Sequence, residues 1–178
     1  MKEVKIFARA GQGAITTAAI LGEAFFYENI YSYAFPHFGA ARVGAPMNAF
    51  LRFDTKPIRL RSQIYNPDYV LVIDPTLIKS EDCFSNIKED GIAIVSIREP
   101  IDIEAPKNVK VYTLEAEKIA LQVIGKPFSN TVLLGAFAKA TGEIKLDSIL
   151  KAIQKRFSQK QEVLNKNIEA VKKGYDSI

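Results

Sequence analysis

The sequence predicts an α/β fold: a single-domain layer sandwich with a mostly parallel sheet, an antiparallel hairpin near residues 46–63 and C-terminal helices. Three observations point to it. Continuous apolar runs at Val4–Ala8, 68–74 and 91–97 read as strands buried on both faces, the habit of parallel strands. Stretches of helical apolar spacing alternate with them. Residues 46–63 instead alternate with period two, the mark of strands with one wet face.

The elements follow in order. Val4–Ala8 is a buried strand. From Ala14 to Tyr27, Ile15, Ala18, Ala19, Leu21, Ala24 and Phe25 recur at helical spacing, which predicts a helix. Tyr31–Phe35 is short and aromatic, and the loop "PHFGAARVGAP" that follows carries two prolines and two glycines. In Met47–Asp54, Met47, Ala49, Leu51 and Phe53 share one face. In "KPIRLRSQI", Ile58 and Leu60 oppose Arg59 and Arg61, so the two segments read as a hairpin joined at Asp54–Pro57. "DYVLVID" (68–74) reads as a central parallel strand, followed by a helix or turn near Thr76–Glu89. "GIAIVSI" (91–97) and "VKVYTL" (109–114) are two further strands. Helices are predicted over Glu115–Ile124 and Ser129–Thr141. The amphipathic stripes of Leu146–Phe157 and Gln161–Tyr175 predict two more.

Composition narrows the function classes. At 178 residues the chain, 1–178, is expected to be one domain with a substantial core. A hydrophobic share of 48% and a charged share of 25% are those of a globular protein. The net charge of +4 is spread along the chain and falls short of a nucleic-acid-binding stripe, so no nucleic acid is expected as partner. No stretch has membrane-spanning length and the start has no signal-peptide pattern, so a cytoplasmic location and no membrane partner are expected. Cys83 is the single cysteine and reads as a passive, half-buried thiol. One thiol makes no internal disulfide and cannot supply an iron–sulfur cluster or a structural zinc. His37, the single histidine, sits in the Pro/Phe/Gly-rich segment, away from Cys83 in sequence.

Three features carry candidate chemistry. Gly11-Gln12-Gly13, with Ala14, lies between the first strand and the first helix. Glycines there permit a tight bend and close approach of a phosphate to the helix N-terminus. The third glycine of a dinucleotide fingerprint would fall at Thr16, and the acid expected about 20 residues further on is missing, which speaks against a dinucleotide. There is no lysine for a P-loop. A structural corner and an anion site remain open. The second feature is the run of arginines Arg42, Arg52, Arg59 and Arg61. Arg59 and Arg61 would project from one strand face about 7 Å apart, a spacing suited to carboxylates or phosphates. With Tyr33, Phe35, His37 and Phe38 nearby, Arg42, Arg59 and Arg61 are candidates for a partner interface. A charged edge strand and a loop packed on the protein's own sheet are the plainer readings. The third feature is that no catalytic triad, metal-ligand cluster or paired acids can be read, which favours a subunit over a free-standing enzyme and gives no catalytic residue and no metal site.

The segments "ARAGQGAITTAAILGEAFF", "AFPHFGAARVGAPMNAFLRFDTKPIRLRSQIYNPDYVLVIDPTLI" and "NTVLLGAFAKATG", with "NKNIEAVKKGYD" near the end, resemble the gamma subunit of the 2-oxoacid:ferredoxin oxidoreductases, most closely the pyruvate type. That resemblance implies a hetero-oligomer with alpha, beta and delta subunits. The complex would convert pyruvate and coenzyme A to acetyl-CoA and carbon dioxide and reduce ferredoxin, its electron acceptor. It implies thiamine diphosphate, magnesium and iron–sulfur clusters held by partner subunits, and an architectural role for this chain. A gamma subunit for 2-oxoglutarate or a branched-chain 2-oxo acid, or a stand-alone nucleotide- or coenzyme-binding protein, are the alternatives. The family's turn reads Gly-x-Gly-Gly-Gln-Gly; Ala8 and Ala10 replace its first two glycines, so only Gly11, Gln12 and Gly13 carry over. Around Arg42, Ala40, Ala41 and Val43 stand where the family often has an acid and a second arginine.

Overall fold

The architecture comes from a computed structural model that describes residues 1–37 and 43–178. Six strands form one sheet in the order β2-β3-β1-β4-β5-β6. They are β1 (Lys2–Arg9), β2 (Tyr31–His37), β3 (Pro46–Asp54), β4 (Tyr69–Val72), β5 (Ile92–Ser96) and β6 (Lys110–Leu114). The helices are α1 (Ala14–Phe26), the one-turn α2 (Leu77–Ser80), α3 (Ala116–Ile124), α4 (Asn130–Thr141), α5 (Leu146–Phe157) and α6 (Gln161–Asp176).

β1, β4, β5 and β6 run parallel, with Val4 opposite Tyr69 and Tyr69 opposite Ile92. β3 lies antiparallel to β1 (Val4 opposite Leu51), and β2 antiparallel to β3 (Phe35 opposite Phe50). The predicted α/β layer sandwich, mostly parallel sheet, antiparallel excursion and C-terminal helices are therefore all present. The hairpin's second arm needs correction. The strand that pairs with 46–54 is Tyr31–His37, and residues 55–66 form no strand. The reason is occupancy: β1 takes one edge of β3 and β2 the other, so the alternating segment "IRLR" has no ladder to join.

The period-two pattern divides the sheet into two faces. Val4, Ile6, Ala8, Ala49, Leu51, Phe53, Leu71 and Ile94 face the helical layer and share its large core with Leu21, Phe25, Phe137, Ile149 and Val171. Phe7, Val70, Val72, Ala93 and Val95 face the other way, covered by Leu77, Cys83, Phe84 and Ile87 from the segment between β4 and β5. Cys83 is buried rather than half-buried, at 5% exposure; burial, then the nearby Glu81 charge, push its thiol up to about 12. It stays a thiol at neutral pH and is a poor nucleophile.

Candidate functional site

The turn after β1 is fixed by a polar network. The Arg9 N–H donates to Gln12 Oε1 at 2.8 Å, and Gln12 Nε2 donates to Asp74 Oδ2 at 2.6 Å. Asp74, only 4% exposed at the carboxyl end of β4, also accepts from the Thr76 N–H (2.9 Å) and hydroxyl (2.7 Å). Arg9 Nη2 donates to Thr76 Oγ1 at 2.8 Å, and Arg9 Nη1 to the Gly44 carbonyl at 3.1 Å. Burial alone would raise the Asp74 carboxyl. The hydrogen bonds from Thr76 and Gln12, with the Arg9 charge, outweigh it and hold the group below its ordinary 3.8. Gln12 thus acts as a spacer that locks the turn onto the end of the central strand.

The same turn ends in two converging helix N-termini. Gly13 caps α1 with φ 86°, a left-handed conformation that glycine adopts without strain. No side chain caps that end, and no acid stands in the first turn. α4 starts beside it. A Cβ built on Gly13 would lie 2.8 Å from Asn130 Nδ2, so Gly13 is what lets Asn130 approach the turn. Asn130 is 7% exposed, with its side chain set against the turn. Thr131 Oγ1, next to it, is buried and without a hydrogen-bond partner among the described residues. Two helix dipoles of about half a positive charge each, unbonded first-turn N–H groups and a buried amide beside them suit an anion such as a phosphate.

A second cluster lies on the outer face of β2 and β3. Arg61 stacks on Tyr33 (4.1 Å to the ring centroid), Tyr33 on Phe35 (4.9 Å), and Phe35 on Phe50 (5.1 Å). Gln63 bonds His37 Nδ1 at 2.9 Å. Beneath them Arg52, 1% exposed, pairs with Glu3 at 2.9 Å and donates to the Ser62 (2.7 Å) and Gln63 (3.2 Å) carbonyls. It therefore pins residues 55–66 across the face as a strap.

The expected site residues thus fall into two groups. Gly11, Gln12, Gly13 and Ala14 form the corner, while Phe35, His37 and Arg61 meet on the outer face. The expected pairing of Arg59 and Arg61 on one strand face does not occur, because no strand forms there. Arg61 folds onto Tyr33 and bonds the Ile58 carbonyl at 3.0 Å, and Arg59 is exposed on the strap. Phe38 and Arg42 lie outside the described residues. Asn130 and Asp74 are not among the residues expected at a site, and Arg52, expected only as one of four arginines, is buried. Their signals were an amide opening a helix, an acid closing a strand and an arginine within an apolar run.

The donor set does not fit an iron–sulfur cluster. Among the described residues no three His, Cys, Asp or Glu side chains are grouped to hold a metal ion, and one cysteine falls short of the about four thiolates a cluster takes. Nor is any helix among the described residues long and apolar enough to cross a membrane.

Residues 3–177 match the family described as "Pyruvate ferredoxin/flavodoxin oxidoreductase". The chain belongs to this family. Within it, the chain is 45% identical over 178 residues to "Pyruvate synthase subunit PorC" of Methanothermobacter thermautotrophicus, covering 100% of this chain and 96% of that protein. It is 46% identical over 180 residues to "Pyruvate/ketoisovalerate oxidoreductases common subunit gamma" of Pyrococcus furiosus, covering 99% and 96%. The crystal structure of the pyruvate oxidoreductase subunit PORC of Thermotoga maritima superposes with a TM-score of 0.87 at 37% identity, covering 99% of this chain and 96% of that one. These matches bear out the resemblance to the gamma subunit of the 2-oxoacid:ferredoxin oxidoreductases, pyruvate type included.

Proposed function

We propose that this chain is the gamma subunit of a pyruvate:ferredoxin oxidoreductase. In that reading residues 1–178 form one domain that carries none of the redox cofactors and supports coenzyme A-dependent oxidative decarboxylation of pyruvate. Alpha, beta and delta subunits hold thiamine diphosphate, magnesium and iron–sulfur clusters, and ferredoxin accepts the electrons. The end-to-end match to a pyruvate synthase subunit carries the reading, since 100% of this chain and 96% of that protein align.

The corner gives the chain a direct task. Gly11–Ala14 and Asn130 form a receptor for a phosphate group of coenzyme A, with Gln12 and Asp74 positioning the turn. Two uncapped helix N-termini around a buried amide support this assignment. Phe35, His37, Phe38, Arg42, Arg59 and Arg61 serve subunit contact in the same reading.

The test is co-expression with the alpha, beta and delta chains. Pyruvate-dependent viologen reduction is expected from the complex and none from this chain alone; turnover by the isolated chain would refute the subunit role. In the complex, Asn130→Leu is expected to raise KM for coenzyme A by about tenfold, one lost hydrogen bond to a charged group, with KM for pyruvate unchanged. An unchanged KM for coenzyme A removes the phosphate site and leaves the subunit assignment standing. The Pyrococcus furiosus relative, named as common to pyruvate and ketoisovalerate oxidoreductases, favours a second reading, in which one gamma chain serves two complexes and other subunits select the 2-oxo acid. Activity on 3-methyl-2-oxobutanoate after assembly with a second set of partners would establish it.

A further inference from the structure

The two edges of the sheet differ in protection. β6 is five residues long and opens on the exposed Lys110, a charge that discourages strand addition. β2 is seven residues long, YSYAFPH, and carries no lysine, arginine or acid. Its orientation follows from the alternation of backbone groups across the sheet. The Glu3 and Phe7 carbonyls accept from Asp68 and Ile73 on the β4 side, so the even residues of β1 bond β3. Their partners Met47, Ala49, Leu51 and Phe53 therefore face β1, and the even residues of β3 face β2. Tyr31, Tyr33, Phe35 and His37 consequently bond β3, and Ser32, Ala34 and Pro36 direct their backbone groups outward. Pro36 agrees, since it lacks an N–H and belongs where no ladder bond is lost.

We infer that the outward edge of β2 receives an extended, acidic segment of another subunit as a seventh strand. Among the described residues nothing bonds the outward N–H groups of Ser32 and Ala34, and Ala34 and Pro36 are exposed. Charge complementarity selects the occupant. Arg61 lies over the Tyr33 ring, Arg59 stands two residues away on the same strap, and no ion pair among the described residues involves either. A second copy of this chain would bring another uncharged β2, and another Arg61, to the same edge. At the start of the strand a cleft of about 340 Å³, lined by Phe26, Asn29, Ile30, Tyr31 and Ser32, has room for one apolar side chain of the incoming segment. Phe26 and Tyr31 there are 71% and 52% exposed. The partner is thus a strand with an acid opposite Tyr33 and an apolar residue at one end, held by main-chain hydrogen bonds.

The inference rests on the subunit reading above, and amide hydrogen exchange on the purified complex and on the isolated chain separates the two. In the complex, the Ser32 and Ala34 amides are expected to exchange about tenfold or more slowly than in the isolated chain, while Leu71 amide exchange is the same in both. Ala34→Pro removes one outward N–H and keeps the bonds of Tyr33 and Phe35 to β3. It is expected to melt within a few degrees of wild type yet fail to co-elute with the partner subunits. Arg61→Glu is expected to weaken assembly at low salt more than at high salt. Equal exchange in both states, undiminished assembly of Ala34→Pro, or edge protection that appears with concentration in the chain alone would each overturn the acidic strand. A complex that forms and turns over with the edge amides still exchanging refutes this inference alone, and failure to form any complex refutes the subunit reading with it.

Discussion

The two faces of the sheet are closed by opposite means. On the helical face, closure is apolar and close-packed: α4 and α6 approach so nearly that a Cβ at Gly135 would lie 1.9 Å from the Val171 carbonyl oxygen. Gly174 meets the Val132 carbonyl in the same way, so the two glycines interlock the helices. On the outer face of β2 and β3, a strap without secondary structure has its carbonyls held by one buried guanidinium. Arg52 stands where the helical face would use a leucine, and its donors satisfy carbonyls that have no strand partner. Packing fixes a regular layer, whereas an irregular segment needs its backbone groups bonded one by one.

The largest expected effect breaks the apolar side. Gly135→Val forces the two helix backbones apart, since the nearest obstacle is main chain and cannot rotate away. We expect a loss of about 4 kcal/mol or more, and a thermal midpoint lower by about 8–16 °C, read by calorimetry. Arg52→Met comes next. Among the described residues it leaves Glu3 with only the more distant Lys88 (3.5 Å) and orphans two carbonyls, so a cost of about 3 kcal/mol is expected. Limited proteolysis should then cut within 55–66 while the helical core stays intact. If Arg52→Met proved costlier than Gly135→Val, or if the strap remained resistant, the contrast between the faces would be wrong.

This contrast also explains what could be read from sequence. The helical face was legible because its signal is local: Leu146, Ile149, Ile153 and Phe157 repeat at helical spacing, and the helix spans Leu146–Phe157 as predicted. The strap was misread because Ile58–Arg61 alternates like a strand. What forbids a strand there is the occupancy of both edges of β3, a property of the whole sheet. The candidate site divides in the same way. Gly11–Gly13 was visible as a strand-to-helix turn, with a corner and an anion site equally open. Asn130, the amide beside that turn, reaches Gly13 only through the folding of α4 against α1. Nothing near Asn130 in the sequence marks that contact. Arg52 was seen as one of four arginines, yet only its burial distinguishes a staple from a surface charge.

Asp74 sharpens the comparison with an acid-sensitive element. Its folded-state carboxyl is held below 3.8, so it contributes stability that is fully present above the unfolded value. That contribution is lost as pH falls from about 4 through the lowered folded value. Thermal melts from pH 7 to pH 2.5 should therefore show a steeper acid loss for wild type than for Asp74→Asn. At pH 7 the variant is expected to be less stable by about 1–2 kcal/mol. Parallel acid limbs for the two proteins would mean that the carboxylate charge does not hold the turn.

The smallest effect is expected at Arg61, and its size decides what the outer face is for. The guanidinium lies 4.1 Å from the Tyr33 ring centroid but is exposed to solvent, so the contact is worth about 0.5–1 kcal/mol. Arg61→Ala should lower the thermal midpoint by about 1–4 °C, and Arg59→Ala, with no such ring beneath it, by less. A side chain this weakly coupled to the fold can change strongly in a subunit contact without disturbing the monomer. Arg52 cannot, because the strap comes away with it. If Arg61→Ala destabilised the isolated chain as much as Arg52→Met, the aromatic ladder would belong to the chain's own core. The outer surface would then hold no charge left over for a partner.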